Sequence, residues 1–316
     1  MAAATASVRS ATTTSGVCRL ARRALSAERA LQILELLAAH PGRDFTLAEL
    51  VRESDINISS LHAVLAVLTR EGYVVRDRRR KAYQLGAGPI ALGQAALDEH
   101  PAIKLARHAI EELAQELQLE VICGTIAGEH LLIAGEAGRA DRLYMRPRVG
   151  TRLPFMPPLA LLAVPYLEPK EQQAWLDRLG PNATQTDRDN YMQAATLAGA
   201  RGYTIELETP TRQQIGMLMG QLAQDPRSPE LNTQLQTLVL QLGTEEHTLL
   251  ELEPDRTYAV NNVQAPIFDH RAQLVTGLIL LGYDQPLTSQ EIQNYLHTLR
   301  NTADTITRTT GGHPPN

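Results

Sequence analysis

Cysteine is nearly absent from this chain of 316 residues, which contains only Cys18 and Cys123. Two thiols without paired spacing indicate neither a disulfide framework nor a zinc site. Cys123 stands in an apolar run, where a thiol is far more often a core side chain than a nucleophile. These absences favour a reducing cytoplasm as the compartment of this chain.

The patterns of common enzyme chemistry are also missing. The sequence has no Gly-rich phosphate loop and no Gly-x-Ser-x-Gly elbow for a nucleophilic serine. Its nine histidines show no metal-ligand spacing; they stand at positions 40, 62, 100, 108, 130, 247, 270, 297 and 313. We therefore expect no enzyme activity, no bound metal and no cofactor.

No apolar run approaches the roughly 18 residues of a membrane span, so no membrane partner is expected. Residues 1–24 contain no acidic side chain and are rich in Ala, Thr and Ser. They lack the apolar core of a secretory signal. They faintly resemble an organellar transit peptide. A disordered basic arm is the favoured interpretation, because the sequence that follows is typical of a bacterial protein.

Positive charge is concentrated near the N-terminus, although the whole chain has a net charge of −5. Between Arg19 and Gly93 there are 12 Lys or Arg and 8 Asp or Glu, whereas the residues after Gly93 hold 17 and 27. The acidic remainder is not expected to touch nucleic acid. A polyanionic partner should therefore bind the N-terminal part of a chain whose length predicts about two domains.

Residues 46–72 predict two helices joined by a tight turn. Thr46 and Glu49 have the spacing of a capping box, and Asp55-Ile56-Asn57 interrupts the helical pattern with turn-forming residues. The second helix is predicted to end at Gly72, where a left-handed residue costs least. Its inward apolar stripe consists of Leu61, Val64, Leu65 and Leu68.

A basic hairpin is predicted next, with strands at 73–76 and 82–85 around the tip 77–81. Its positive side chains suit contact with phosphates. Most of the first residues of the second helix are polar. Together with the basic hairpin, they predict a winged helix-turn-helix that reads bases in the major groove. The candidate contacts with double-stranded DNA are Thr46, Asn57, Ser59, Ser60, His62, Arg76, Arg78, Arg79, Arg80 and Lys81. The alternative is that the serines only cap the helix and the charge run is a solvated turn.

The remaining pattern indicates helices and antiparallel strands. Predicted helices cover residues 25–40, 90–99 and 102–119, and a capping box at Thr288 begins a closing helix. Predicted strands cover residues 121–126, 131–136, 260–268 and 273–283, the first two as a hairpin.

Short motifs along most of residues 25–310 follow the order of one known family. In the first half they are Ala30-Leu31-Gln32-Ile33-Leu34, Thr46-Leu47-Ala48-Glu49-Leu50, Ser59-Ser60-Leu61-His62, Gly72-Tyr73-Val74 and Tyr83-Gln84-Leu85-Gly86. In the second half they are residues 149–154, 201–203, 265–269 and 277–282. This chain resembles the IclR-type bacterial transcription regulators. It departs from them after His62, where Ala63 replaces the family's usual Arg.

The resemblance implies an α+β chain, with an N-terminal winged helix-turn-helix and a C-terminal GAF-like effector domain (antiparallel sheet with flanking helices). It implies a DNA-binding domain at 25–88, a linker helix at 89–100 and an effector-binding and oligomerisation domain at 101–310. Residues 206–261 exceed the family's usual short link, and they are predicted as a helical insert that is a lid, a subunit contact or a cover for the sheet. The insert is expected to hold helices at 211–222 and 230–242 and an edge strand at 249–252.

The resemblance also implies an effector pocket, with departures from the members that sense small carboxylates. Two prolines in residues 155–162 remove amides that would hold an anion, and Ile279 and Leu281 replace hydroxyl residues. An apolar wall and an apolar or aromatic effector are therefore expected. The candidate pocket residues are Tyr144, Met145, Phe155, Met156, Leu159, Ala160, Glu206, Asn262, Ile279 and Leu281. The alternative is that these side chains pack together without a pocket.

The expected function is sequence-specific transcription regulation in the bacterial cytoplasm, under the control of a small-molecule effector. The regulator would bind a pseudo-palindromic operator as a homodimer or a dimer of dimers. The effector would shift two arrangements of the DNA-binding domains through the linker helix. Two alternatives are a constitutive regulator whose C-terminal domain only oligomerises, and a ligand-binding or scaffold protein without DNA binding.

Overall fold

The computed structural model of this chain describes residues 24–138, 148–181, 183–225 and 228–315. The predicted basic arm, apart from its last residue, and the candidate pocket residues Tyr144 and Met145 lie outside the described residues. The helices are α1 Leu25–Ala39, α2 Leu47–Ser54, α3 Ile58–Arg70, α4 Gly88–Glu99, α5 Pro101–Leu117, α6 Pro169–Asp177, α7 Gln185–Arg201, α8 Pro210–Gln224, α9 Pro229–Leu242 and α10 Ser289–Thr309. None of these described helices has the length and apolar character needed to cross a membrane.

The strands are short in the N-terminal part and longer in the C-terminal part. They are β1 Phe45–Thr46, β2 Val74–Asp77, β3 Ala82–Leu85, β4 Glu120–Ala127, β5 His130–Ala137, β6 Arg152–Pro154, β7 Thr204–Leu207, β8 Thr257–Tyr258, β9 Val260–Phe268, β10 Leu274–Leu281 and β11 Leu287–Thr288. A single turn of 3-10 helix covers Val164–Tyr166.

The elements from α1 to β3 form a winged-helix unit (residues 25–88). The capping box that starts α2 is present, because the Thr46 hydroxyl accepts from the Glu49 amide and the Glu49 carboxylate accepts from the Thr46 amide over 2.8 Å. Asp55 ends α2 with φ 52°, and Gly72 follows α3 with φ 74°. The wing is a sheet of order β1-β3-β2, in which β1 was not predicted.

The apolar stripe of α3 is the centre of this unit's core. All four predicted stripe residues are buried. They pack with Ile33 and Leu37 of α1 and with Phe45 of β1. The helical spacing in the sequence therefore identified the buried face of α3 correctly. The opposite face of α3 is exposed to solvent.

The C-terminal unit (residues 101–310) is built on a six-stranded antiparallel sheet of order β6-β5-β4-β10-β9-β7. Side chains alternate between its two faces. On one face, Cys123, Val263 and Leu278 are fully buried in the core that includes α5 and α10. The other face is covered by residues 158–163 and α8, and a cavity lies between them.

Two parts of this unit differ from the sequence prediction. No strand forms at 249–252; Thr248 instead makes an isolated bridge with Glu206, and the Leu249 amide donates to the Ile205 carbonyl over 2.9 Å. The chain then leaves the edge of β7. Helices α6 and α7 were not predicted. Helix α7 buries only Ala195 and Ala198 and so lacks a strong apolar stripe, and α6 is only nine residues long.

Candidate nucleic-acid interface and effector cavity

The N-terminus of α3 presents polar side chains to solvent. Asn57 caps the helix, and its Oδ1 accepts a hydrogen bond from the Ser60 amide over 2.9 Å. The cap occupies that oxygen, so the amide NH₂ is the part of Asn57 that can reach a base. Ser59 and His62 are exposed on the same helix. Exposed polar residues in the first turns of this helix are what helix-turn-helix proteins use to contact base edges.

Ser60 is held by an arginine that the sequence did not point to. Arg29 Nη1, on α1, donates to Ser60 Oγ over 3.0 Å. The two residues are 31 positions apart, so no local motif links them. The guanidinium adds positive charge beside a helix N-terminus, which already favours anions because of its free amides and its dipole. Arg29 therefore belongs to the candidate interface.

The wing carries its cations around an ordered tip. The Asp77 carboxylate accepts from the Arg79 amide over 2.7 Å and the Arg80 amide over 3.1 Å. These two hydrogen bonds, with the Arg80 one dominant, hold the pKa of Asp77 below its ordinary value. Arg78, Arg79 and Lys81 are exposed at the tip, where their charges can follow a phosphate backbone.

Three predicted DNA contacts are engaged within the winged-helix unit. The Thr46 hydroxyl belongs to the capping box and donates to Glu49 Oε2 over 2.7 Å. Arg80 Nη1 pairs with Asp44 Oδ2 at 2.9 Å, and the Arg76 guanidinium lies 5.6 Å from the centre of the Tyr83 ring. All three residues are nevertheless exposed, so each can still be approached by a duplex.

The cavity of the C-terminal unit has a volume of about 260 Å³. Its floor is the sheet face formed by alternate residues of β4, β5, β9 and β10. Residues 158–163 and the first three turns of α8 close it from the other side. Most of the wall is aliphatic, and the only ionisable side chains on it among the described residues are Glu206 and Arg212.

Those two residues form an ion pair that joins β7 to α8. Their side chains are only 4% and 11% exposed, and Thr248 Oγ1 also donates to the Glu206 carboxylate over 3.4 Å. Burial raises the pKa of Glu206 to about 7, because lost hydration outweighs the attraction of Arg212 and the Thr248 hydrogen bond. Burying this ion pair therefore costs free energy. Arg212 and Thr248 together hold the Glu206 carboxylate in place.

A chain of side-chain amides continues this polar end along β9. Gln264 Nε2 donates to Asn262 Oδ1 over 2.8 Å, and Asn262 Nδ2 donates to Asn261 Oδ1 over 2.7 Å. Asn261 Nδ2 in turn donates to Glu208 Oε2 over 2.6 Å. Asn262 lies opposite Glu206 in the register of β7 and β9, so amides and ion pair form one polar patch in an otherwise apolar cavity.

The structure brings six of the ten predicted pocket residues together. Leu159, Ala160, Glu206, Asn262, Ile279 and Leu281 all line the cavity. Phe155 and Met156 do not line it. Phe155 packs near Trp175, and Met156 packs beneath α8 and α9. Both residues were expected to line a pocket because they lie in an apolar run. Their side chains instead pack into two neighbouring hydrophobic cores.

Among the lining residues that the sequence did not single out, four lie on α8. They are Arg212, Ile215, Gly216 and Met219. Their spacing places them on one face of a helix. Gly216 leaves open space, because an added Cβ would meet no atom within 4 Å. The sequence showed this regular spacing, but it did not show which part of the fold this face of α8 contacts.

Two elements touch both the cavity and the winged-helix unit. The far side of α8 faces a cleft whose other wall includes His40, Arg43 and Glu53. Residues of α1 and α8 approach within 8 Å between Cα atoms. On β6, Leu153 lines the cavity while the neighbouring Arg152 pairs with Glu35 of α1 over 3.4 Å.

Comparison with known proteins matches this architecture. The IclR helix-turn-helix domain matches residues 26–78. The HTH-type transcriptional regulator KipR of Bacillus subtilis is 22% identical over 289 residues, 90% of this chain and 96% of KipR. The IclR regulator structure from Alicyclobacillus acidocaldarius covers 92% of this chain and 100% of its own, at 18% identity and TM-score 0.60. An IclR homologue from Microbacterium hydrocarbonoxydans, solved with 4-hydroxybenzoate, covers 90% and 99%, at 15% identity and TM-score 0.56.

The match at residues 26–78 gives this chain the helix-turn-helix domain of the IclR-type DNA-binding transcription regulators. Over nearly the whole chain, the fold is similar to that of the solved IclR regulator from Alicyclobacillus acidocaldarius, and the sequence is similar to that of KipR.

Proposed function

We propose that this regulator recognises one operator sequence through α3 and the wing, and that a small, largely apolar molecule in the cavity controls this binding. We assign the DNA-binding domain to residues 25–88, the linker helix to 89–100 and the effector-binding domain to 101–310. The site of action is the bacterial cytoplasm, where such an operator is found.

The observation that carries the proposal is the position of α8. One face of this helix closes the cavity, and the other lies against the winged-helix unit. A ligand can shift a conformational equilibrium only if it binds two arrangements with different affinity. A molecule that fills the cavity must contact α8, so its binding energy depends on where α8 sits. The same displacement changes the surface that α8 presents to α1.

Strand β6 offers a second, parallel connection. Leu153 contacts the cavity, and the Arg152–Glu35 pair joins the same strand to α1. The pair is more than a third exposed on the Arg152 side, at 54%, and contributes little stability as a surface pair. Its role is geometric, since the pair sets where α1 docks but does not hold α1 there firmly.

The size and wall of the cavity suit an effector with a ring or a short chain. A cavity of about 150 Å³ lined by aliphatic residues holds one benzene molecule, and this one measures about 260 Å³. The homologue from Microbacterium hydrocarbonoxydans binds an aromatic molecule of this size class, 4-hydroxybenzoate. A single substituted ring or one alkyl chain is the size of effector that we expect to fit.

We propose that the regulator works as a homodimer or a dimer of dimers. Helix α4 supports this, because none of its residues is buried and Ile90 and Leu92 are 73% and 56% exposed. A solvated 12-residue helix is marginal by itself, whereas a second copy would cover these side chains. Sedimentation equilibrium of Ile90→Glu beside the wild type measures this, and an unchanged mass for the variant would contradict it.

The experiment for effector control uses the open space at Gly216. Small ring and chain compounds are screened by thermal shift, and each compound that stabilises the protein is added to a titration with duplex from upstream of its own gene. Gly216→Phe fills the cavity, and Gly216→Ala is the matched control. We expect compounds to stabilise the wild type and the alanine variant, to change their DNA affinity, and to have no effect on Gly216→Phe.

Two outcomes would favour the alternatives. DNA binding that no compound changes would favour a constitutive regulator whose C-terminal unit only oligomerises. Compounds that bind in the cavity of a protein with no affinity for any duplex would favour a ligand-binding or scaffold protein.

A further inference from the structure

With Glu206 ionised, the polar patch of the cavity is electrically balanced. The Glu206 carboxylate and the Arg212 guanidinium are paired, and no other ionisable side chain lines the cavity among the described residues. Both side chains are almost completely buried. A charge brought into such a site must either find an opposite charge or remain buried without one, which is costly.

The patch still has hydrogen-bonding capacity to offer. Arg212 Nε is buried and has no hydrogen-bond partner in the described part of the chain. Leaving a buried donor without an acceptor is destabilising. The amides of Asn262 and Gln264 add donors and acceptors that need no charge on the ligand. A ligand oxygen that accepts from Arg212 Nε would therefore gain more than the same oxygen facing solvent.

A carboxylate ligand meets a specific obstacle here. Its negative charge would lie beside Glu206, and like charges in close contact across a site oppose binding. It could compete for Arg212 only by displacing the Glu206 carboxylate, which would then remain buried without its partner. An uncharged carbonyl, hydroxyl or amide can use the same donors without breaking the pair.

From this arrangement, and resting on the proposed function of the cavity, we infer that the effector is an uncharged molecule with an apolar body and a hydrogen-bond acceptor at one end, and that Glu206 excludes carboxylates. Carboxamides, ketones, esters and phenols belong to this class. The body lies along the aliphatic face of β4, β10 and residues 158–163, and the acceptor end lies at Glu206, Arg212 and the β9 amides.

The test compares ligands that differ only in charge. The two pairs are 4-hydroxybenzamide with 4-hydroxybenzoate, and octanamide with octanoate, titrated by calorimetry into the full-length protein. The titrations are run at about pH 8, above the Glu206 pKa of about 7, so that the ion pair is charged. We expect the amide of at least one pair to bind at least about tenfold more tightly than its carboxylate.

Charge variants test the role of Glu206 directly. Glu206→Gln keeps the size of the side chain but leaves Arg212 as an unbalanced cation, so the carboxylate should gain affinity and the order within the pair should reverse. The double variant Glu206→Gln with Arg212→Gln restores neutrality and should bring back the preference for the amide. Thermal unfolding of each variant checks that it is folded, and the wild-type comparison stands without either variant.

The outcomes separate this inference from the proposed function. Carboxylates that bind the wild type as tightly as the amides, and lose binding in Gly216→Phe, would overturn the inference and leave effector control standing. An order that Glu206→Gln does not change would overturn the role of Glu206. Failure of all four probes to bind would overturn the inference, whereas the compound screen with Gly216→Phe decides effector control separately.

Discussion

Arg29 on α1 and Ser60 on α3 are joined by a hydrogen bond of 3.0 Å from the guanidinium to the hydroxyl. This contact fixes the first turn of the recognition helix against the helix that supports it. It also sets a positive charge at the end of α3 where free amides point outward. A phosphate of the duplex backbone is the ligand that suits this position.

The first prediction concerns Arg29. Arg29→Ala should weaken binding to every duplex alike, because a phosphate contact carries no sequence information. The dependence of log affinity on log salt should become shallower by about 0.9, the value for one lost contact. Fluorescence anisotropy at several salt concentrations measures this. Arg52→Ala, an exposed arginine on α2, is the control; equal slopes for both variants and the wild type would rule out the phosphate contact.

The second prediction concerns the wing. Replacing Arg78 and Arg79 by Ala should lower the salt slope by about 1.8, at about 0.9 for each contact. Adding Arg80→Ala should lower it further by a smaller amount, because Arg80 is paired with Asp44. The same anisotropy series applies. A slope that does not change in the double variant would mean that the charge run is a solvated turn.

The third prediction concerns the core beneath α3. Leu65 is 2% exposed, whereas Val67, two positions later, is 47% exposed. Leu65→Ala should therefore lower the free energy of unfolding by about 2–5 kcal/mol, from lost burial and the cavity left behind. Val67→Ala should change it by less than about 0.5 kcal/mol. Urea unfolding followed by circular dichroism gives both values, and equal losses would contradict the assigned faces.

The fourth prediction concerns the pH dependence of stability at Glu206. Its pKa in the folded protein is about 7, above the ordinary value of 4.5. A raised pKa means that the stability of the protonated form is complete below about pH 4.5 and is lost as the pH rises through 7. The wild type should therefore lose stability relative to Glu206→Gln across this window, by up to about 3 kcal/mol.

Thermal unfolding of the two proteins from pH 4.5 to 8 measures this difference. The groups that face Glu206, namely Arg212, Thr248 and Tyr191, are present in both proteins. His247 has a pKa lowered by burial, with the opposite pH trend, and it cancels for the same reason. A difference that stays constant over this range would mean that Glu206 ionises as it does in water.

The sequence was most informative about structural features that depend on the spacing of neighbouring residues. The capping box at Thr46, the buried stripe that includes Leu65 and the turn at Gly72 are all local patterns, and all are present in the structure. The candidate pocket was harder to predict, since six of its ten residues line the cavity. Glu206 and Asn262 were candidates because of the family resemblance, but Arg212 was not among the candidates.

Long-range pairing explains what the sequence could not predict. Arg29 reaches Ser60 and Arg152 reaches Glu35 across gaps of 31 and 117 residues. Such contacts depend on how helices and sheets dock, which no spacing rule encodes. The strand expected at 249–252 was wrong for a related reason, since β7 is only four residues long and offers a short edge for pairing.

Base reading by α3 is central to the proposed function, and His62 is the residue that tests it. An operator is first selected from a pool of random duplexes, and operator and scrambled duplex are then titrated with the wild type and His62→Ala at one salt concentration. Because His62 is exposed on α3 and is not one of the wing's cations, we expect operator binding to weaken by about 1–3 kcal/mol and scrambled binding to stay unchanged. An equal loss on both duplexes would contradict sequence reading by this helix.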